Sequence, residues 1–303
     1  MAKKSGKIPP HPPFSKGGKK QFIGIIGGSG LYSMSEFKLL RKVRLSTPFG
    51  KPSDDFMVGT LSGVPVVFLP RHGVGHRILP SELNFRANIW GMKKLGVASI
   101  VSVSAVGSLK AEIEPGHMVV IDQFIDRTRL RPSTFFGGGV VAHVSFADPV
   151  CGTLREKLIS ASKKAGAVTH EKGTYVCMEG PLFSTRAESH LYRSWGADVI
   201  GMTNLQEAKL AREAEICYAT LALSTDYDCW HESEAPVTAE MVFKVLCDNV
   251  SMAQKILAGV VQKIDASADC TCRKALKNAI FTDRKRIPAG TKKKLGLIIG
   301  KYL

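Results

Sequence analysis

Residues 216–225 (ICYATLALST) carry no charge, and the run ends in two carboxylates two residues apart, Asp226 and Asp228. In extended chain such positions face the same way, so both acids can address one ligand. Three readings of the pair stand open. They can hold a divalent ion that bridges a nucleotide diphosphate, grip a heterocycle with an amino group beside a ring nitrogen, as adenine has, or simply cap a loop. A second set of candidates is cationic and hydroxylic. Arg71 and His72 follow the apolar run 64–70, with His76 close behind, and the fixed fork of a guanidinium suits phosphate. Ser29 lies in the turn 27–30 (GGSG), where backbone N–H groups and a hydroxyl can converge on an anion. That turn is neither the dinucleotide fingerprint nor a Walker loop, since no Lys-Ser/Thr pair follows it. Ser104 and Ser108 add hydroxyls at the end of a third apolar run.

Each of these groups sits where a strand-length apolar stretch stops. Strands are expected at 22–26, 99–106, 117–122, 175–178 and 198–202, with a hairpin of 56–61 and 64–69 turned around Ser62 and Gly63. Residues 123–131 read as a polar connector. Helices are expected at 81–95, after Asp148 with Pro149 at the first helical position, after Thr185 with Glu188 at capping-box spacing, after Asn204 with Glu207 as a second such cap, and over 238–263 at 3.6-residue periodicity. Strands alternating with helices define an α/β fold: a single domain with a central mixed β-sheet flanked by helices. Acids at the carboxyl end of a buried strand then lie where open α/β sheets bind ligands.

The 303 residues, 44% of them hydrophobic, suffice for one large core. No apolar run reaches the roughly 18 residues of a membrane span, and no hydrophobic segment follows the basic N-terminus, so a cytoplasmic protein is expected. The net charge of +16 resides in the ends. Six lysines and no acid fall within 1–20, and ten Lys/Arg with only Asp283 fall within 273–303, which leaves the body close to neutral. Solvated tails account for this without a nucleic-acid partner. The expected organisation is a disordered basic tail over 1–20, a catalytic domain over 21–264 and a basic C-terminal extension over 265–303. Of seven cysteines, only Cys270 and Cys272 form a pattern; with no CxxC and no nearby histidine, the spacing argues against a metal site.

GGSG at 27–30, TPFGKPS at 47–53, PRHG at 70–73, SAVGS at 104–108, EGPLFS at 179–184, GMTN at 201–204 and STDYDCW at 224–230 together resemble the S-methyl-5'-thioadenosine phosphorylases, of the trimeric and hexameric purine nucleoside phosphorylase superfamily. The likeness runs in unbroken order from about residue 22 to 264. It implies the nucleoside phosphorylase fold and a phosphate site of Ser29, Arg71, His72, Ser104, the Ala105 backbone N–H and Thr203. It places Met202 under the ribose, Phe183 and Ser184 along the base, Asp226 at N7 and Asp228 at N6. The 5' alkylthio group falls near Ala239, Val242 and Phe243, with His143 supplied by a neighbouring subunit of a trimer or hexamer. Inorganic phosphate is then a co-substrate, and no cofactor or metal is implied. Gly201 and Gln206 depart from the family pattern near the ribose, and Phe243 is bulkier than the usual aliphatic residue. Some prokaryotic relatives use cysteine pairs like Cys270 and Cys272 as disulfides; in a reducing cytoplasm these thiols are expected to stay free.

The implied chemistry is phosphorolysis of an N-glycosidic bond, with Arg71, Asp226 and Asp228 as the residues that carry it. Positive charge builds on the ribose and negative charge on the leaving purine, so the protein's work is positioning and electrostatics. Asp226 must be protonated to donate to N7, which requires burial and the neighbouring acid to lift its pKa from about 3.9. Three alternatives are distinguishable: a 6-oxopurine phosphorylase, a hydrolytic nucleosidase active without phosphate, and a catalytically silent nucleoside-binding or RNA-associated protein.

Overall fold

The computed structural model describes residues 21–28, 30–31, 34–231 and 239–303, excepting the side chains of 239–244 and 246. Strands β1 (Phe22–Gly27), β2 (Phe37–Val43), β3 (Phe56–Leu61) and β4 (Val64–Pro70) come first, followed by helix α1 (Phe85–Lys94) and the long strand β5 (Val97–Ser108). Then come β6 (Met118–Val120), β7 (Gln123–Arg127), α2 (Gly152–Lys164), β8 (Thr169–His170), β9 (Thr174–Met178), α3 (Arg186–Ser194) and β10 (Val199–Gly201). The chain closes with α4 (Leu205–Glu213), β11 (Cys217–Asp226), α5 (Ala239–Val261) and α6 (Ala289–Ile299).

Among the described residues eleven strands join one mixed sheet, in the order β2-β3-β4-β1-β5-β10-β9-β7, with β11 and then β6 and β8 branching from β5. Strand β5 is the axis. Its first half lies parallel between β1 and β11, and at Gly107 and Ser108 it pairs antiparallel with β10. This divergence opens the sheet at the carboxyl ends of β1, β4 and β11, where the candidate residues sit.

Period-two alternation sorts the core. Phe22 and Ile26 of β1 pack with α1, α4 and α6, whereas Ile23 and Ile25 pack with α2 and α5. Gly24 shares the first face, and a Cβ there would lie 2.8 Å from Val97 Cγ1, so the glycine lets helix and sheet close up. Three expectations are corrected. The polar stretch 123–131 contains β7, which lies at the sheet edge and pairs with β9. Helix α1 starts four residues late, because Asn84 rather than Ser81 caps it, accepting from the Ala87 amide. Helix α2 starts after Cys151, beyond Asp148 and Pro149.

The C-terminal segment packs against the body. Leu276, Ile280, Leu295, Ile298 and Ile299 are buried in the core layer of α1 and α4. Buried Glu215 accepts from the Leu276 amide at 3.1 Å and the Tyr302 hydroxyl at 2.5 Å, and pairs with Lys301 at 2.6 Å.

Candidate active site

Arg71 ends β4 one residue past the ladder, with its amide bonded to the Gly27 carbonyl at 2.9 Å. Its side chain is only 2% exposed and its guanidinium faces inward. Nε donates to Glu207 Oε1 at 2.6 Å, one terminal nitrogen donates to the Val103 carbonyl at 2.8 Å, and the other reaches Ser102 Oγ at 2.5 Å and Glu207 Oε2 and Asn204 Oδ1 at 3.2 Å. Tyr218 and Ser102 both donate to Glu207 Oε2, at 2.9 and 2.8 Å. Burial works to lower the Arg71 pKa, but Glu207 outweighs it and holds the group above its ordinary value. Arg71 is thus a permanent cation on a rigid mount. Ser102, Asn204, Glu207 and Tyr218, which build that mount, were not singled out as its partners from sequence.

Asn204 does not cap α4 as the sequence suggested. It has φ +75°, and its side chain serves Arg71 and Ser102 instead. Glu207, taken as the other half of that cap, is the counter-ion of Arg71. The cap expected at Thr185 does form: the Thr185 amide donates to Glu188 at 2.8 Å and the Glu188 amide to Thr185 Oγ1 at 3.2 Å.

His72 Nδ1 lies 2.8 Å from the Ile78 carbonyl, which can only accept, so Nδ1 carries a proton. Burial, then the charge of Arg71, depress its pKa to about 4. The ring is therefore neutral near pH 7, with Nε2 as an acceptor. His76 stacks on it with centroids 4.4 Å apart.

Further along β5, Ser104 Oγ and Thr203 Oγ1 are 3.2 Å apart, and both side chains are buried. Tyr175 accepts from the Thr203 amide at 3.2 Å. A side chain at Gly201 would run into the Tyr175 hydroxyl, which gives this departure from the family pattern a local cause. Gln206, the second departure, bonds Thr128 Oγ1 at 2.8 Å and buried Arg131 at 3.3 Å. Arg131 also donates to the Met202 carbonyl at 2.6 Å and to Glu179 Oε1 at 2.8 Å, tying the segment after β10 to the segment after β9.

The acid pair stands at the far end of β5. The ladder between β11 and β5 slips between Ser224 and Asp226, so Thr225 is an extra residue that re-aims the carboxylate. An added Cβ at Gly107 would lie 2.9 Å from Asp226 Oδ1 and 3.4 Å from Asp228 Cβ, so this glycine of β5 leaves the space both acids occupy. Asp226 Oδ1 accepts the Asp228 amide at 2.8 Å. Thr225 Oγ1 lies 2.7 Å from Asp226 Oδ2 and 3.1 Å from the Val106 carbonyl. One hydroxyl proton cannot serve two acceptors, but a proton on Asp226 Oδ2 satisfies the chain: Asp226 donates to Thr225, which donates to Val106. Burial raises the Asp226 pKa, and the charge of Asp228 adds to it against the Thr225 hydroxyl and the Asp228 amide. Asp228, at φ +51°, is also raised by burial, against the nearby hydroxyls of Ser189 and Ser184.

The chain from Arg71 to Asp226 is continuous. Arg71 bonds Val103, Ser104 meets Thr203, and Asp226 abuts Gly107, all along β5. Val103 to Gly107 is roughly 13 Å of strand, a span that phosphate and nucleoside end to end can fill. Beside the acid pair the Cys229 thiol donates to the Ser184 carbonyl at 3.3 Å, and Phe183 is 47% exposed. Ala105 follows Ser104 on the strand. Ser29 lies outside the described residues. Ala239, Val242 and Phe243 fall on α5, but their side chains lie outside the described residues. His143 packs edge-on against Phe281 of its own chain, 5.1 Å between centroids.

Residues 22–262 match the model of the Phosphorylase superfamily, and the chain belongs to that family. It is 60% identical to the S-methyl-5'-thioadenosine phosphorylase of Geobacter sulfurreducens, over 94% of this chain and 100% of that one, and 50% identical to the protein of the same name from Hyperthermus butylicus, over 90% and 100%. Among solved structures, a methylthioadenosine phosphorylase from an antarctic soil metagenomic library superposes with a TM-score of 0.87 at 51% identity, covering 92% of this chain and 98% of that one. The Schistosoma mansoni methylthioadenosine phosphorylase in complex with adenine follows, at 0.81 and 38%, covering 85% and 96%.

Proposed function

We propose that this chain is a pentosyltransferase that splits S-methyl-5'-thioadenosine with orthophosphate, giving adenine and 5-methylthioribose 1-phosphate in purine and methionine salvage. The observation that carries the reading is the Asp226–Thr225–Val106 relay, which accommodates a protonated carboxyl four residues along β5 from the contact of a permanent cation. Relatives named for this activity share the chain almost end to end.

Phosphate sits beside Arg71, with Ser29, Ser104, Thr203 and the Ala105 amide as donors. Neutral His72 accepts the phosphate's own hydroxyl proton through Nε2. The bound anion lies under the ribose, where its charge offsets the cationic sugar as C1'–N9 lengthens. The C1'–O bond to phosphate forms as the C1'–N9 pair withdraws into adenine, and Asp226 turns its Oδ2 proton from Thr225 to N7. Asp228, ionised, accepts from the 6-amino group, while Phe183, Ser184 and Met202 hold base and ribose. No step forms a covalent enzyme intermediate or asks for a cofactor.

As part of the same proposal the enzyme is a cytoplasmic trimer or double trimer, with the 5' substituent enclosed by Ala239, Val242, Phe243 and His143 from a neighbouring subunit. Leu130, Val141, Leu182 and Phe281 are large apolar side chains left exposed on the single chain, as subunit surfaces are. Among the described residues no helix is long and apolar enough to cross a membrane. Adenine release from methylthioadenosine, followed with and without phosphate and then from adenosine and inosine, tests the reading. Release that persists in phosphate-free buffer, or equal turnover of inosine, overturns it.

A further inference from the structure

Cys151, Cys217, Cys270 and Cys272 are spread across the chain, yet their four Sγ atoms lie within 4.8 Å of one another. They come from three places. Cys151 precedes the first turn of α2, Cys217 opens β11, and Cys270 and Cys272 bracket the start of a short 3-10 turn, Thr271–Lys274, in the C-terminal segment. Three are buried and Cys270 is half-buried. Cys151 and Cys270 sulfurs are 3.7 Å apart.

Zinc bound to four thiolates at about 2.3 Å has sulfurs about 3.8 Å apart, the edge of the tetrahedron. The Cys151–Cys270 pair stands at that separation, and the others need at most about an ångström of closure. A disulfide brings its sulfurs to about 2.05 Å, so two disulfides would draw the four sulfurs into separate close pairs. The donor set is all sulfur, which among tetrahedral sites selects zinc or iron over oxygen-seeking cations. The sequence argued against a metal because Cys270 and Cys272 lack a local partner; the fold supplies Cys151 and Cys217 as those partners.

We infer that these four cysteines bind one zinc ion in a closed tetrahedral site that fastens the C-terminal segment to the root of β11. Four thiols become thiolates, four Zn–S bonds form, and the protons pass to solvent with no change of oxidation state. Cys151 stands at the N-terminus of α2, whose dipole offsets part of the resulting negative charge. Asp226 lies at the opposite end of β11, nine residues from Cys217, so the ion is structural.

The test uses the full chain purified with reductant. Elemental analysis should find about one zinc per chain, and titrating the thiols with a mercurial should release it in step with their loss. Cobalt exchanged into the site should show the sulfur-to-cobalt charge-transfer band and the strong visible bands of a tetrahedral four-thiolate complex. Cys270→Ser with Cys272→Ser should lose the zinc, lower the thermal midpoint and expose the segment after residue 265 to protease. The mercurial and cobalt readouts stand even where that variant fails to fold. Protein that stays metal-free after incubation with zinc and reductant, or native peptide maps showing all four cysteines in disulfides, overturns the site. Bound iron overturns the choice of zinc.

Discussion

Arg71 and Asp226 are held against the same strand, about four residues apart, yet the protein treats their charges in opposite ways. Arg71 is enclosed by a carboxylate, a hydroxyl, an amide and a carbonyl, and stays ionised whatever is bound. Among the described residues Asp226 has no cationic hydrogen-bond partner; it rests on a threonine hydroxyl and a backbone amide beside a second acid. A group that only attracts an anion can be locked in place. A group that must surrender a proton has to stay near balance between two states.

The sharpest way to break this comparison is at the fixed end. Glu207→Ala leaves Arg71 buried without its counter-ion and should cost about 3–5 kcal/mol in denaturant melts. Arg71→Met combined with Glu207→Leu should recover much of that stability while phosphate-dependent activity stays lost. Recovery of activity in the double variant would show that Arg71 serves only the fold.

At the other end, Asp226→Asn should keep stability and lower kcat by about 10²-fold or more, because an amide can hydrogen-bond N7 but cannot protonate it. The wild-type rate should fall as pH rises through the raised Asp226 pKa, and single-turnover pH profiles of the variant should lack that limb. Asp228→Asn is expected to shift discrimination between methylthioadenosine and methylthioinosine by about 1–3 kcal/mol toward the 6-oxo base. Asparagine tolerates the positive φ at this position, so the exchange isolates chemistry from backbone. An unchanged ratio removes Asp228 from base selection.

The smallest effect concerns His72. Its folded pKa, about 4, lies below the ordinary value near 6.5, so the unfolded chain takes up the proton first as pH falls. Stability should therefore be lost as pH falls from about 6.5 to 4, and His72→Asn should flatten that loss in pH-dependent melts. Phosphate should blunt it as well, since a bound anion favours the imidazolium.

Much of this was legible in the residues. The hairpin 56–61 and 64–70, strand β11 and the Thr185 cap rest on local pattern: alternation, a two-residue turn, a hydroxyl three residues before a glutamate. Strand β7 was not, because an edge strand with a polar face lacks the apolar run by which buried strands announce themselves. The second cap misled because Asn204 and Glu207 have the right spacing for a local bond but a stronger partner 136 positions from Glu207, the buried guanidinium of Arg71. Cys151 and Cys217 gave no signal at all, since each is a single thiol in apolar surroundings.

The sequence by itself determined the class of fold and the family, because types, spacing and periodicity are properties of neighbours along the chain. Tertiary structure alone decided that Glu207 holds Arg71, that a slip at Thr225 turns Asp226 toward Gly107, and that four cysteines meet. Those pairings join residues from tens to well over a hundred positions apart, and burying a charge or a sulfur selects its partner by what the closed core brings within reach.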